Sequence, residues 1–152
     1  GGIRAKKIYA PGTSITRRDM LTEMPFGNVV VKLRLTGAQI WDALENGVSQ
    51  VENNAGRFPQ VSGLSFTYKK GVSKGSRIVS VKIGGQNLNK NRSYTVATNN
   101  YAAGGGDGYS VFKKGNVLIN ESGATLLAGM VMNYIKVKGI VSPKVEGRIV
   151  AQ

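Results

Sequence analysis

The spacing of hydrophobic and polar positions along the chain changes several times, and each change predicts an element. From 29 to 35 the positions Val29, Val31, Leu33 and Leu35 are apolar, with Lys32 and Arg34 between them. That is the two-residue period of a half-buried strand. Next, Thr36-Gly37-Ala38-Gln39 has the spacing of a capping box, and Ile40, Leu44, Val48 and Val51 recur at helical intervals. A helix through Val51 is predicted, with that stripe toward the core and Trp41 at its edge. Upstream, a shorter helix is predicted over 17–24. Thr16 is its N-cap, Asp19 sits at the third helical position, and Pro25, which lacks an N–H, ends it.

Further along, Leu64, Phe66 and Tyr68 alternate with Ser65 and Thr67 and predict a strand. Residues 78–83 predict another, and Gly84-Gly85 a tight turn into a short strand over 86–88. A strand over 94–98 and a short apolar run over 117–119 follow. A helix is predicted over 124–137, with Leu126, Leu127, Met130, Val131 and Tyr134 as its core face, and then a last strand over 144–150. No repeat, linker or low-complexity tract interrupts the pattern. The expectation is a single α+β domain over residues 1–152, with a mixed or antiparallel sheet and helices packed on it.

Composition narrows the chemistry. Histidine and cysteine are both absent. Without cysteine there are no disulfides and no thiol chemistry. Without histidine the chain lacks the commonest general base and metal ligand. Among the eight Asp and Glu residues the closest spacings are Asp42/Glu45 and Asp19/Glu23, both on predicted helix faces and read as solvated charge. No catalytic residue and no metal site is expected in this chain, and it is not expected to catalyse alone. No apolar run approaches the ~20 residues that span a bilayer. The opening Gly1-Gly2-Ile3-Arg4 has neither an initiator Met nor an apolar signal segment, and is expected to be the start of a fragment or excised domain.

The net charge is +13, from 21 Lys and Arg against 8 Asp and Glu. The basic residues come as scattered pairs, such as Lys6-Lys7, Arg17-Arg18, Lys69-Lys70 and Lys113-Lys114, and read as a solvated surface. The alternative reading is a basic binding module for nucleic acid or an anionic surface, without catalysis, whose affinity would fall steeply with salt.

The densest local signal is Asn99-Asn100-Tyr101-Ala102-Ala103-Gly104-Gly105-Gly106-Asp107-Gly108-Tyr109, placed directly after a predicted strand. Glycine permits positive φ and close backbone approach, at an entropic cost. A dinucleotide fingerprint would need these glycines to open a helix, and the segment 109–115 is too short and too β-branched for one. The GxxxxGK[ST] phosphate loop is absent. A loop remains that presents Asp107 and an exposed Tyr101 to a ligand.

Four motifs in order carry a family resemblance. Met24-Pro25-Phe26-Gly27-Asn28, then Gly56-Arg57-Phe58-Pro59-Gln60-Val61-Ser62-Gly63, then Ala97-Thr98-Asn99-Asn100-Tyr101 with Gly105-Gly106-Asp107-Gly108-Tyr109, resemble the C-terminal domain of the 5'-nucleotidase and UDP-sugar hydrolase family. Gly1-Gly2-Ile3-Arg4 resembles that family's Asn-Gly-Gly-Gly-Ile-Arg motif, entered inside its glycines. The resemblance implies that Arg4 helps hold a substrate phosphate, and that Phe26 and Tyr101 clamp the nucleobase. It implies too that Asp107 accepts hydrogen bonds from the ribose hydroxyls. Base stacking on an aromatic is worth about 1–3 kcal/mol and tolerates different bases. Tyr101 departs from the usual Phe, and the Asn that opens the glycine–arginine motif is absent. Phe58 is read as mainly structural and Arg34 as a solvated strand residue.

The same resemblance implies the rest of the enzyme. Its catalytic machinery lies in a separate N-terminal domain, whose His, Asp and Asn side chains hold two divalent metal ions. None of those ligands is in this chain. The implied partners are a nucleotide or nucleoside substrate and that catalytic domain of the same parent, with rotation between domains gating turnover. Nucleic acid is not an expected partner, and the implied location is periplasmic or extracellular.

Overall fold

The alternation that predicts a strand at 29–35 forms β1 (Val29–Thr36), in which Val31, Leu33 and Leu35 are buried while Lys32 and Arg34 face solvent. The structure is a computed structural model and describes residues 7–152. Ahead of β1 lies α1 (Arg17–Glu23). Its capping box is formed as expected, with the Asp19 N–H donating to Thr16 Oγ1 and the Thr16 N–H donating back to Asp19 Oδ2. The Thr16 hydroxyl, followed by the Lys7 ammonium 2.9 Å away, holds the Asp19 carboxyl well below the usual carboxylate range.

Thr36 and Gln39 make a second capping box, with bonds of 3.2 and 2.8 Å, and it starts α2 (Gly37–Val48). Ile40, Ala43, Leu44 and Val48 of α2 are buried. The helix stops at Val48, and Val51 falls in a separate 3-10 turn, Val51–Asn53. Trp41 is half-buried at the core edge as expected, with the Lys90 ammonium 4.1 Å from its ring centre.

Two sheets share the core. β2 (Leu64–Tyr68), β3 (Ile78–Ile83) and β4 (Gln86–Asn87) pair antiparallel in sequence. The turn between β3 and β4 uses Gly84 and Gly85 at φ +57 and +81, as a two-residue hairpin demands. β5 (Ser93–Asn99) lies antiparallel to β1, with Val30 opposite Asn99 and Thr36 opposite Ser93. After it come α3 (Asn100–Ala103), β6 (Asn116–Ile119), β7 (Thr125–Leu126), α4 (Leu127–Lys138) and β8 (Ile149–Ala151). β6 and β7 also pair antiparallel with β1, while β8 lies parallel to β2. The sheets are thus one antiparallel and one mixed, as the α+β reading expects. Leu33 and Leu35 of β1 meet Phe66, Tyr68, Ile78 and Val81 of the second sheet around α2 in a single cluster.

Further expectations are corrected. Glu45, read as solvated charge with Asp42, is buried. Its Oε2 accepts the Arg77 N–H at 3.0 Å and its Oε1 accepts the Ile78 N–H at 2.8 Å, locking α2 to β3. The helix expected from 124 begins at Leu127, because Thr125 and Leu126 pair with β1. None of its residues is fully buried: Met130 and Tyr134 are exposed, as is Leu126 just before it, and Leu127, Val131 and Ile135 form its half-buried side. The strand expected over 144–150 shrinks to Ile149–Ala151, since Gly147 at φ +68 breaks the extended path and Val145 is fully exposed. The glycine segment, expected to be a loop, opens with the helical turn α3.

Candidate functional site

The antiparallel pairing of β1 with β5 decides where the expected site residues fall. With Val30 opposite Asn99, β1 begins and β5 ends at the same end of the sheet. Phe26, just before β1, and Tyr101, just after β5, are therefore delivered to that end. A further bond fixes the approach: Asn100 Oδ1 accepts the Val29 N–H at 3.1 Å. Asn99, the N-cap of α3, accepts the Ala102 N–H at 2.7 Å and turns the chain off the sheet. Phe26 and Tyr101 are 58% and 54% exposed. Arg4 lies outside the described residues.

The glycines have a local task. A Cβ on Gly106 would come within 2.5 Å of the Tyr101 ring, so the ring rests on bare backbone there. The Tyr101 hydroxyl donates to Asp107 Oδ1 at 3.2 Å, which ties the aromatic and the carboxylate into one unit. Gly105 and Gly108 take φ of +89 and +83, and Asp107 between them takes φ +53. A non-glycine residue rarely adopts that left-handed conformation, and Asp tolerates it better than most. The Asp107 side chain is exposed and can accept further hydrogen bonds.

Three residues that sequence reasoning did not single out hold this loop. Asn100 is one. Asn46, in the last turns of α2, donates from Nδ2 to the Asp107 carbonyl at 3.1 Å. Arg57 Nη1 donates to Asn46 Oδ1 at 3.4 Å and to Ser49 Oγ at 3.3 Å. Arg57 sits in a motif visible in the sequence, but nothing in the helical pattern of α2 marks Asn46. Tyr109 closes the arrangement: it is buried, stacks on Phe112 with centroids 5.1 Å apart, and donates its hydroxyl to the Arg57 carbonyl at 2.6 Å. Burial, with the Asp107 charge adding to it, pushes the Tyr109 phenol up to about 12. Phe58 packs edge-on against Tyr68 at 6.0 Å, in keeping with a structural role.

The arrangement can stack a flat ring and accept hydrogen bonds from hydroxyls. Among the described residues no three His, Cys, Asp or Glu side chains are grouped to hold a metal ion. No helix among the described residues is long and apolar enough to cross a membrane.

Known proteins resemble this chain over most of its length. Residues 1–114 match the family described as 5'-nucleotidase, C-terminal domain. The trifunctional nucleotide phosphoesterase protein YfkN of Bacillus subtilis is 42% identical over 98% of this chain, which spans 10% of that protein. A 5'-nucleotidase of Diplobatis ommata is 33% identical, again over 98% of the chain and 27% of its own length. The crystal structure of a 5'-nucleotidase precursor from Thermus thermophilus superposes with a TM-score of 0.85 at 40% identity, covering 90% of this chain and 28% of that one. The chain thus spans less than a third of each of these relatives. By its motifs, its fold and these matches, it belongs to the 5'-nucleotidase C-terminal domain family.

Proposed function

We propose that residues 1–152 are the substrate-binding domain of a 5'-nucleotidase-like hydrolase, acting outside the cytoplasm. Phe26 and Tyr101 stack the nucleobase, Asp107 accepts hydrogen bonds from the ribose hydroxyls, and Arg4 meets the phosphate with its planar fork of donors. A separate catalytic domain of the parent, carrying two divalent metal ions, supplies the activated water that cleaves the phosphoester. This chain contributes binding and orientation, and by itself hydrolyses nothing.

One observation carries the reading. The end of β5 and the start of β1 bring two exposed aromatic rings to one end of a sheet, and one of those rings is bonded to an exposed carboxylate. Rings and acceptor in that combination suit a base joined to a sugar. Calorimetric titration with adenosine and with AMP, at low and high salt, tests the proposal. Saturable adenosine binding that changes little with salt and is lost in the F26A/Y101A double variant is the expected result. Binding of AMP that collapses with salt, with no affinity for adenosine, would overturn the proposal in favour of a basic module recognising anions.

A further inference from the structure

We infer that Asn46 and Arg57 form a positioning pair that sets Asp107 for ribose, so that discrimination between nucleosides with and without ribose hydroxyls depends on residues that do not touch the ligand. The inference rests on the nucleoside-binding role proposed above for Asp107.

The argument begins with the backbone. Asp107 is one of two non-glycine residues among those described that take positive φ, at φ 53 and ψ 23, between Gly105 and Gly108 in similar conformations. A run of such residues has several nearby alternatives, and a left-handed non-glycine residue persists only where its surroundings hold it. Asn46 supplies that restraint by donating from Nδ2 to the Asp107 carbonyl at 3.1 Å. An asparagine amide can flip, which would exchange donor for acceptor. Here Arg57 prevents the flip, because a guanidinium only donates and its Nη1 points at Asn46 Oδ1.

The pair is itself anchored at both ends. Asn46 lies on α2, whose Ala43, Leu44 and Val48 are in the core. At a rise of about 1.5 Å per residue, α2 runs back from the far end of β1, and its last turns reach the end where Tyr101 and Phe26 lie. Arg57 is held through Ser49 Oγ and through its carbonyl, which accepts the Tyr109 hydroxyl at 2.6 Å. The fit is close: a Cβ on Gly108 would stand 2.7 Å from Asn46 Oδ1 and 3.4 Å from Arg57 Nη1. With Tyr101 holding Oδ1 of the carboxylate and Asn46 holding the carbonyl, Asp107 is fixed at both its side chain and its main chain.

The test compares adenosine with 2',3'-dideoxyadenosine by calorimetry or NMR titration on wild type, Asn46→Ala, Arg57→Gln, Asp107→Ala and the N46A/D107A double variant. Asn46→Ala is expected to reduce the preference for adenosine about five- to tenfold, the scale of one weakened hydrogen-bonding group, while dideoxyadenosine binds as before. In the Asp107→Ala background the second substitution is expected to change nothing, as two residues acting through one contact require. Arg57→Gln, which leaves Asn46 in place but unanchored, should lower the same ratio. An unchanged ratio in either folded variant overturns the inference while leaving the ribose contact standing. Equal adenosine preference in wild type and Asp107→Ala overturns the ribose contact, and the inference with it.

Discussion

Asn100 Oδ1 accepts the Val29 N–H at 3.1 Å, and through that bond the helical turn that opens the glycine segment holds the start of the strand that follows Phe26. Val29 is 71 positions away in sequence, so the bond closes the site across the fold. Asn100→Ala leaves a half-buried N–H without its acceptor and is expected to cost about 1 kcal/mol of stability. Urea unfolding measures that loss. Adenosine affinity should fall as well, because the Phe26 turn is released from Tyr101, and an unchanged affinity would argue that the two rings do not act together.

Tyr101 combines a ring and a hydroxyl, and two substitutions separate them. Tyr101→Phe keeps the stacking surface and frees Asp107 Oδ1, so adenosine binding is expected to persist. Tyr101→Ala removes the ring and should weaken binding by about 1–3 kcal/mol, the worth of one base stack. Gly106→Ala is the complementary test: its Cβ would meet the ring at 2.5 Å and push it from its seat without removing it. Equal affinities for the Phe and Ala variants at 101 would contradict a stacking role.

Tyr109 makes stability depend on alkaline pH. Its phenol is neutral when protonated, and burial raises its folded pKa from the ordinary 10.0 to about 12. Stability from this group is therefore fully present below pH 10 and is lost as pH rises through about 12. Two pK units correspond to about 2–3 kcal/mol. Urea midpoints from pH 9 to pH 11 should fall more steeply for wild type than for Tyr109→Phe, which has no phenol to ionise. Parallel slopes would rule out this origin.

Glu45 is buried with two backbone N–H groups on its carboxylate. Glu45→Ala leaves the Arg77 and Ile78 donors unpaired between α2 and β3. The expected loss is about 2–5 kcal/mol, read from chemical unfolding. Asp42→Ala, at an exposed position on the same helix, should cost under about 0.5 kcal/mol.

Much of the fold was legible because its signals are local. The capping boxes at Thr16 and Thr36 each lie within four residues, and both form. The alternation of β1 and β2 reports which side of each strand is buried, and the structure agrees. The reading fails where a neighbour decides the outcome. Leu126, Met130 and Tyr134 have helical core spacing but no element among the described residues covers them, because spacing defines a face without supplying its partner. Glu45 has the spacing of a surface charge, yet two N–H groups at the start of β3, more than thirty positions away, take it into the core.

The sequence by itself determined most of the elements and, through its ordered motifs, the family. Only tertiary structure decided how they meet. The antiparallel register of β1 and β5 brings residues 26 and 101 to one end of the sheet, and the return of α2 carries Asn46 to the same place. Asn46 is an ordinary polar residue to a reader of the chain, and Arg57 and Asn100 are legible there only as members of motifs, without their partners. Their task comes from hydrogen bonds to residues 11 to 71 positions distant, and no local pattern encodes a partner at that range.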